Sequence, residues 1–266
     1  MNKTLLTAFL LLSCAHAGAA DWSGLYVGGN FTYDIGKAET NITGRQGFTS
    51  GVAGSTAASL AMPNSLAPKI QSRMGGGLIG GQIGYGWQSG NWVYGLEGDL
   101  QAGRINGAGN GDGVSTVAGF STNTLRTNVR QDDTIKFMTT LRGRLGYSLG
   151  NVLLYGTAGL AYAELRSTVS TNFAFDNIAP GTFQVSQSNS NFNSSRIGAA
   201  VGGGVEYAFD GKWFLKAEYL YYDLGKTSNT YGVNITANTG FFAAAGYTHN
   251  TRWTGNLIRI GLNYRF

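Results

Sequence analysis

The chain has 266 residues, 42 of them glycine, with only 12% charged and a formal net charge of +5. Charged residues make up about a quarter of an ordinary soluble domain, so this composition argues against one. The charge is also too small and too dispersed for a nucleic-acid partner.

The chain opens with Lys3 as a short positive region, then an apolar run from Leu5 to Leu12. Ala15-His16-Ala17 and Ala17-Gly18-Ala19 are small-x-small cleavage sites. Together they predict a signal peptide over residues 1–20, cut between Ala17 and Ala20, and one β-barrel domain over 21–266. Leu11-Leu12-Ser13-Cys14 is a rival lipoprotein site, which the adjacent cleavage sites outweigh. Cys14 is the sole cysteine, so the mature chain has no disulfide, thiol ligand or thiol nucleophile. Beyond the signal, no apolar run reaches the roughly 18 residues of a transmembrane helix.

Eight strands are expected near 22–34, 76–88, 91–104, 134–148, 152–166, 195–209, 213–225 and 252–266. Ser89-Gly90, Gly150-Asn151 and Asp210-Gly211-Lys212 read as tight turns. Between them lie longer stretches near 35–75, 105–133, 167–194 and 226–251, rich in Ser, Thr, Asn and Gly. They read as surface loops, partly mobile, with extension of the strands above the membrane as the open alternative. Such short–long alternation is the rhythm of an outer-membrane barrel, with short periplasmic turns and long extracellular loops.

Side-chain alternation supports the same fold. In the last strand Ile258, Ile260, Leu262, Tyr264 and Phe266 share one face, and Arg259, Gly261, Asn263 and Arg265 the other. In the fifth strand a two-residue turn places Leu154, Gly156, Ala158, Leu160 and Tyr162 toward lipid. Trp22, Trp87, Trp92, Tyr147, Phe209, Trp213 and Phe266 are expected to form a periplasmic aromatic girdle, with Trp87 and Trp92 paired across the second turn. Phe31, Tyr33, Phe137, Tyr162, Tyr219 and Tyr221 fall toward the opposite rim.

The inward faces carry Glu97, Asp99, Lys136, Arg142, Arg144, Arg196, Glu206, Lys216, Glu218 and Arg259, with Glu206 expected opposite Lys216. A small eight-stranded barrel has room only for side chains, and an unpaired charge inside it costs several kcal/mol. A mutually neutralising plug is therefore the expected arrangement, rather than a catalytic pair. Gly80, Gly81, Gly84, Gly86 and Gly202 to Gly204 leave room for the long side chains. No phosphate-loop pattern accompanies these glycines.

No cofactor and no metal is expected. Asn110-Gly111-Asp112-Gly113 lacks the remaining ligands of a Ca²⁺ loop and reads as a turn. His249, the one histidine after the signal, reads as a solvated loop residue. With Tyr247 or Tyr231 it is the best axial set the chain offers to haem. A hydrolase would need an activated nucleophile, and no acid lies near His249 in sequence.

The start of the mature chain, Trp22-Ser-Gly-Leu-Tyr-Val-Gly-Gly-Asn30, and its terminal Gly261-Leu-Asn-Tyr-Arg-Phe266 resemble the small OmpA-like outer-membrane β-barrel surface proteins of alphaproteobacteria. The resemblance implies an all-β, eight-stranded antiparallel up-and-down transmembrane barrel in the cell outer membrane, without a peptidoglycan-binding domain. It implies Arg259, Gly261, Tyr264 and Phe266 as an assembly signal read by the barrel-assembly machinery. It also implies contact with outer-membrane lipids and lipopolysaccharide, and loops that present a structural surface protein to extracellular ligands. Relatives of this kind include haem binders and porin-like proteins. Against the deacylases among outer-membrane barrels, which use His-x-Ser, His249 is followed by Asn250 and Thr251.

Overall fold

The computed structural model describes residues 20–45, 49–50, 69–116, 124–176, 183–184, 188–237 and 242–266. Residues 1–19, and with them nearly all of the expected signal peptide, lie outside the described residues. Eight long strands form the wall: β1 Gly24–Arg45, β2 Lys69–Ser89, β3 Trp92–Thr116, β4 Thr124–Leu149, β5 Val152–Asp176, β6 Ser188–Ala208, β7 Trp213–Ala237 and β8 Phe242–Arg265. Each is antiparallel to the next, and β1 closes the ring against β8 from Tyr26↔Arg265 to Arg45↔Gly246. Closure matters because a sheet edge in hydrocarbon would leave backbone groups unpaired. Two two-residue strands, Thr49–Ser50 and Phe183–Gln184, attach to the ends of β8 and β7.

The outer face is apolar in a band. On β1 it runs from Leu25 to Ile35, and on β8 from Ile258 to Phe266, all exposed at the ends of these runs. Such a run matches the 9–11 or so residues of a tilted transmembrane strand. Leu154 and Leu160 of β5 also point outward, as the two-residue Gly150-Asn151 turn requires. The inner face is buried and holds two apolar layers. Trp22, Val93, Leu153, Ala208 and Phe214 close the periplasmic end. Leu78, Ile105, Ile135, Met138, Leu220, Trp253 and Leu257 fill a higher layer.

Three expectations about the wall are corrected. The stretches read as loops, with strand extension left open, are largely strand. Thus 105–116, 124–133, 167–176 and 226–237 continue the wall above the apolar band. Their small polar residues tolerate an extended chain wet on its outer side, which composition alone does not separate from a loop. Asn110 to Gly113 belong to β3, paired with Arg130 to Thr127, and form no turn. The second turn is Gly90-Asn91, because Ser89 pairs with Trp92. Gly90 takes a φ of 60°, a conformation that favours glycine in a tight hairpin. Trp87 therefore lies opposite Tyr94, their rings stacked with centroids 6.1 Å apart, and Trp92 packs edge-on against Tyr147 at 5.4 Å.

Two bulges change which residues face inward. Along β4 the buried residues are even-numbered from Thr140 to Arg142 and odd-numbered from Ile135 down to Leu125. The switch occurs at Lys136, where the register slips against both neighbours. On β7 the slip falls at Gly225, φ 73°, opposite Trp253. The ladder between β6 and β7 stops just below it, at Ala199↔Asp223. Gly225→Val should lower stability by about 1–2 kcal/mol, since a branched side chain is strained at that φ. The urea midpoint of the barrel refolded in micelles measures this, and an unchanged midpoint would show that the bulge does not need glycine.

Candidate functional site

The lumen of the membrane-spanning half is filled by a knot of charges contributed by five strands. Glu97 and Asp99 come from β3, Arg142 and Arg144 from β4, Glu206 from β6, Lys216 and Glu218 from β7, and Arg259 from β8. All but Arg144 are buried, and Arg144 keeps a side-chain exposure of only 7%. Arg142 is the hub: its guanidinium reaches Glu97 at 2.6 Å, Glu218 at 2.9 Å and Asp99 at 3.3 Å. Lys216 Nζ donates to both Glu97 oxygens, at 2.6 and 2.8 Å. Arg259 joins Asp99 at 2.9 Å and Glu218 at 3.3 Å. Arg144 touches Glu206 at 2.9 Å, a close ion contact without hydrogen-bond alignment. Four carboxylates thus face four cations, and the knot is neutral as a whole.

Neutral side chains complete it. The Tyr26 hydroxyl donates to Glu97 at 2.8 Å, and Tyr155 donates to Glu218 at 2.8 Å. The Arg144 guanidinium also lies over the Tyr155 ring, 4.2 Å from its centroid. A Cβ on Gly84 would stand 2.2 Å from the Tyr26 hydroxyl, and one on Gly204 would stand 2.6 Å from that of Tyr155. These two glycines leave the room the tyrosines occupy. At the closing seam Asn30 donates to Gln82 at 3.0 Å, and Gln82 in turn donates to Asn263. Thr140 donates to Asp99 and accepts from Arg142 Nε at 2.8 Å. Beneath the knot a cavity of about 20 Å³ lies between Trp22, Tyr155, Glu206 and Arg265, room for about one water. Asp34, one layer up, is buried beside the Tyr222 hydroxyl, its polar partner there.

Two of the ten expected lumen charges lie elsewhere. Lys136 is exposed on the outer surface, because the bulge at that position reverses the alternation. Arg196 faces inward but is only half-buried, above the knot, and forms no ion pair among the described residues. Glu206 does stand opposite Lys216 in register, although each bonds other partners. Sequence reasoning missed Tyr26 and Tyr155. Their inward parity was readable from Leu25 and Val27, and from Leu154, but their carboxylate partners come from strands far away in sequence.

Of the expected girdle, Trp87, Trp92, Tyr147, Phe209, Trp213 and Phe266 are exposed on the outer face. Trp22 is a correction. It precedes β1 and turns inward under the barrel, where its Nε1 donates to Ser148 Oγ at 3.0 Å and its ring packs 5.0 Å from Phe214. In the terminal strand Arg259 belongs to the knot. A Cβ on Gly261 would crowd the Gly29 carbonyl at 3.1 Å, while Tyr264 and Phe266 pack edge-on at 5.3 Å. Much of that terminal pattern is thus accounted for by packing within the barrel.

His249 is also corrected: it lies on β8, 2% exposed, facing the interior above the membrane. Its Nε2 is 3.1 Å from the Tyr231 hydroxyl, which is 3.1 Å from Thr171 Oγ1. Tyr247 packs 5.6 Å from Tyr231 and 6.5 Å from Phe173. The structure therefore brings the three haem candidates together within the barrel. Burial holds the His249 pKa down at about 4, so the ring is neutral at pH 7.

A closed β-cylinder with an apolar waist and a charge-neutral polar interior is an outer-membrane β-barrel. The chain matches the outer membrane protein beta-barrel domain family over residues 4–266, and it belongs to that family. It is 32% identical over 194 residues to the 31 kDa outer-membrane immunogenic protein of Brucella melitensis biotype 1, covering 72% of this chain and 67% of the relative. It is 28% identical over 250 residues to the 22 kDa outer membrane protein of Rhizobium leguminosarum bv. viciae, covering 93% of this chain and 80% of the relative. Among solved structures it resembles the outer membrane protein OprG of Pseudomonas aeruginosa, at 13% identity and a TM-score of 0.45, covering 94% of this chain and 99% of that one. The protein resides in the outer membrane.

Two outcomes follow from the interior. Glu97→Gln removes the shared partner of Arg142 and Lys216, and should destabilise the barrel by about 3–5 kcal/mol. Glu39→Gln, which breaks the exposed pair with Lys37, should leave the urea midpoint where it was. The His249 ring binds its proton less readily in the folded chain than in the unfolded one. Between pH 6.5 and about 4 the unfolded state therefore holds more protons, and stability falls as pH drops through that window. His249→Gln should abolish that part of the pH dependence in urea titrations.

Proposed function

We propose that the protein is a structural, surface-exposed barrel that supports envelope integrity, displays its extracellular end for recognition, and performs no catalysis. The observation that carries this reading is the charge knot. Its ion pairs span the lumen from β3 and β4 to β7 and β8, and they occupy the space a pore would need. The immunogenic character named for the Brucella relative is consistent with surface display. His249 has no carboxylate partner among the described residues to orient it, and burial, which lowers its pKa to about 4, makes it a weak base, which argues against a hydrolase built on it. The barrel-assembly machinery is the proposed reader of the C-terminal strand.

A deletion strain should take up more of a hydrophobic fluorescent probe, and the wild-type gene should restore the barrier. The purified barrel in planar bilayers should give no steady conductance. Defined conductance steps, or a changed lipid A mass in cells making the protein, would overturn this reading.

A second reading, capture of haem or another small ligand, is favoured by the convergence of His249, Tyr231 and Tyr247, with His249 Nδ1 unpartnered. Haem added to the refolded barrel should then give a Soret shift that His249→Ala removes. No shift would end that alternative.

A further inference from the structure

We propose that the outer face of β2 to β5, just above the apolar band, binds the phosphorylated head group of an outer-leaflet glycolipid through Arg73, Arg104, Lys136 and Arg166. The proposal rests only on the placement of the chain in the outer membrane. It is independent of whether the lumen conducts.

The bulge builds the site. The β3–β4 ladder steps from Ala102↔Phe137 to Ile105↔Ile135, so Arg104 and Lys136 meet at the same irregularity. Both are exposed on the outer surface. In the next row outward, Asn106 pairs with Thr134 and Thr134 with Arg166, which brings a third cation beside two neutral hydrogen-bonding side chains. A β-bulge commonly re-aims a side chain in this way. Here it takes a lysine from the lumen and sets it beside an arginine.

The cations lack internal neutralisation. Several outward charges elsewhere pair: Lys37 with Glu39 at 2.9 Å, Arg130 with Asp132 at 2.9 Å, and Arg252 with Asp223 at 2.5 Å. Arg73, Arg104, Lys136 and Arg166 have no carboxylate within 4.0 Å among the described residues. Acids share the patch, but Asp132 is held by Arg130 and Asp133 is buried, so with Glu164 as the remaining outward acid the face keeps an excess of positive charge, and like charges gathered on one face of a sheet repel. A bound phosphate removes the repulsion and accepts the fork geometry of the arginines.

Shape and height fit a lipid. Two surface depressions flank Thr134. One, of about 420 Å³, is lined by Arg73, Arg104 and Asn106 together with Asp132 and Asp133, and the other, of about 370 Å³, by Lys136, Glu164 and Arg166. Directly below, Phe137 and Tyr162 pack 6.3 Å apart at the rim, and Leu100, Leu141 and Leu160 are 62%, 61% and 58% exposed beneath them. A head group in the depressions would lay its acyl chains along that apolar strip.

The test is native mass spectrometry of the refolded barrel in zwitterionic detergent, offered bisphosphorylated lipid A or the same lipid stripped of phosphate. The wild type should retain the phosphorylated lipid at least tenfold better. Arg104→Gln with Lys136→Gln should erase that preference. Lys226→Gln with Arg252→Gln, on the opposite wall, should keep it. Arg166→Gln alone should lower it, and serves as the deciding variant if the double substitution fails to give a β-type circular dichroism spectrum. Equal retention of both lipids by the wild type overturns the proposal. So does an undiminished preference in the folded Arg104, Lys136 or Arg166 variants, or an equal loss in the opposite-wall pair. Conductance steps would sink the structural reading instead and leave this preference standing.

Discussion

A charge inside a lipid-embedded cylinder has no water to retreat to, and the architecture follows from that constraint. Arg142 is tolerable in the lumen because Glu97, Asp99 and Glu218 converge on it from two other strands. Removing any one of these leaves an uncompensated charge, whereas the intact set is neutral. The knot ties β3, β4, β6, β7 and β8 together across the lumen. The wall is thus held by side chains through its centre as well as by hydrogen bonds around its circumference.

The same constraint accounts for much of the composition. Tyr26 and Tyr155 bring hydroxyl donors to carboxylates that the cations leave partly unsatisfied, and they need Gly84 and Gly204 to fit. Charge is sparse because the outer band is lipid and the inside holds only what it can pair. Above the band the rules relax. The strands continue into water, and their outer faces become polar. The bulges at Lys136 and Gly225 exchange inner for outer residues, so one strand serves different environments at different heights. The basic face on β2 to β5 is a by-product of one such exchange.

Much of the fold was legible because alternation carries it. The outward run Ile258 to Phe266, the lipid-facing side of β5 and the Glu206–Lys216 opposition each follow from counting by twos away from a short turn. Counting failed where a residue was inserted or the chain left the wall. Lys136 kept the right parity up to the bulge and lost it there. The second hairpin slipped by one residue at Gly90-Asn91 because Ser-Gly and Gly-Asn are equally plausible turn pairs. Trp22, before the first strand, obeyed no alternation and tucked under the barrel. His249 read as a loop residue because Thr, Asn and Gly around it suit an extended strand in water as well as a loop.

The sequence by itself determined the class: an alternating, thiol-free, charge-poor chain can bury its apolar faces only toward lipid. It also named most of the interior charges, since parity within a strand is a local property. Only the tertiary structure decided which carboxylate meets which cation, where His249 and Trp22 lie, and which cations stay unpaired on the surface. Those outcomes depend on register between strands distant in sequence and on single-residue bulges, and neither leaves a periodic trace in the chain.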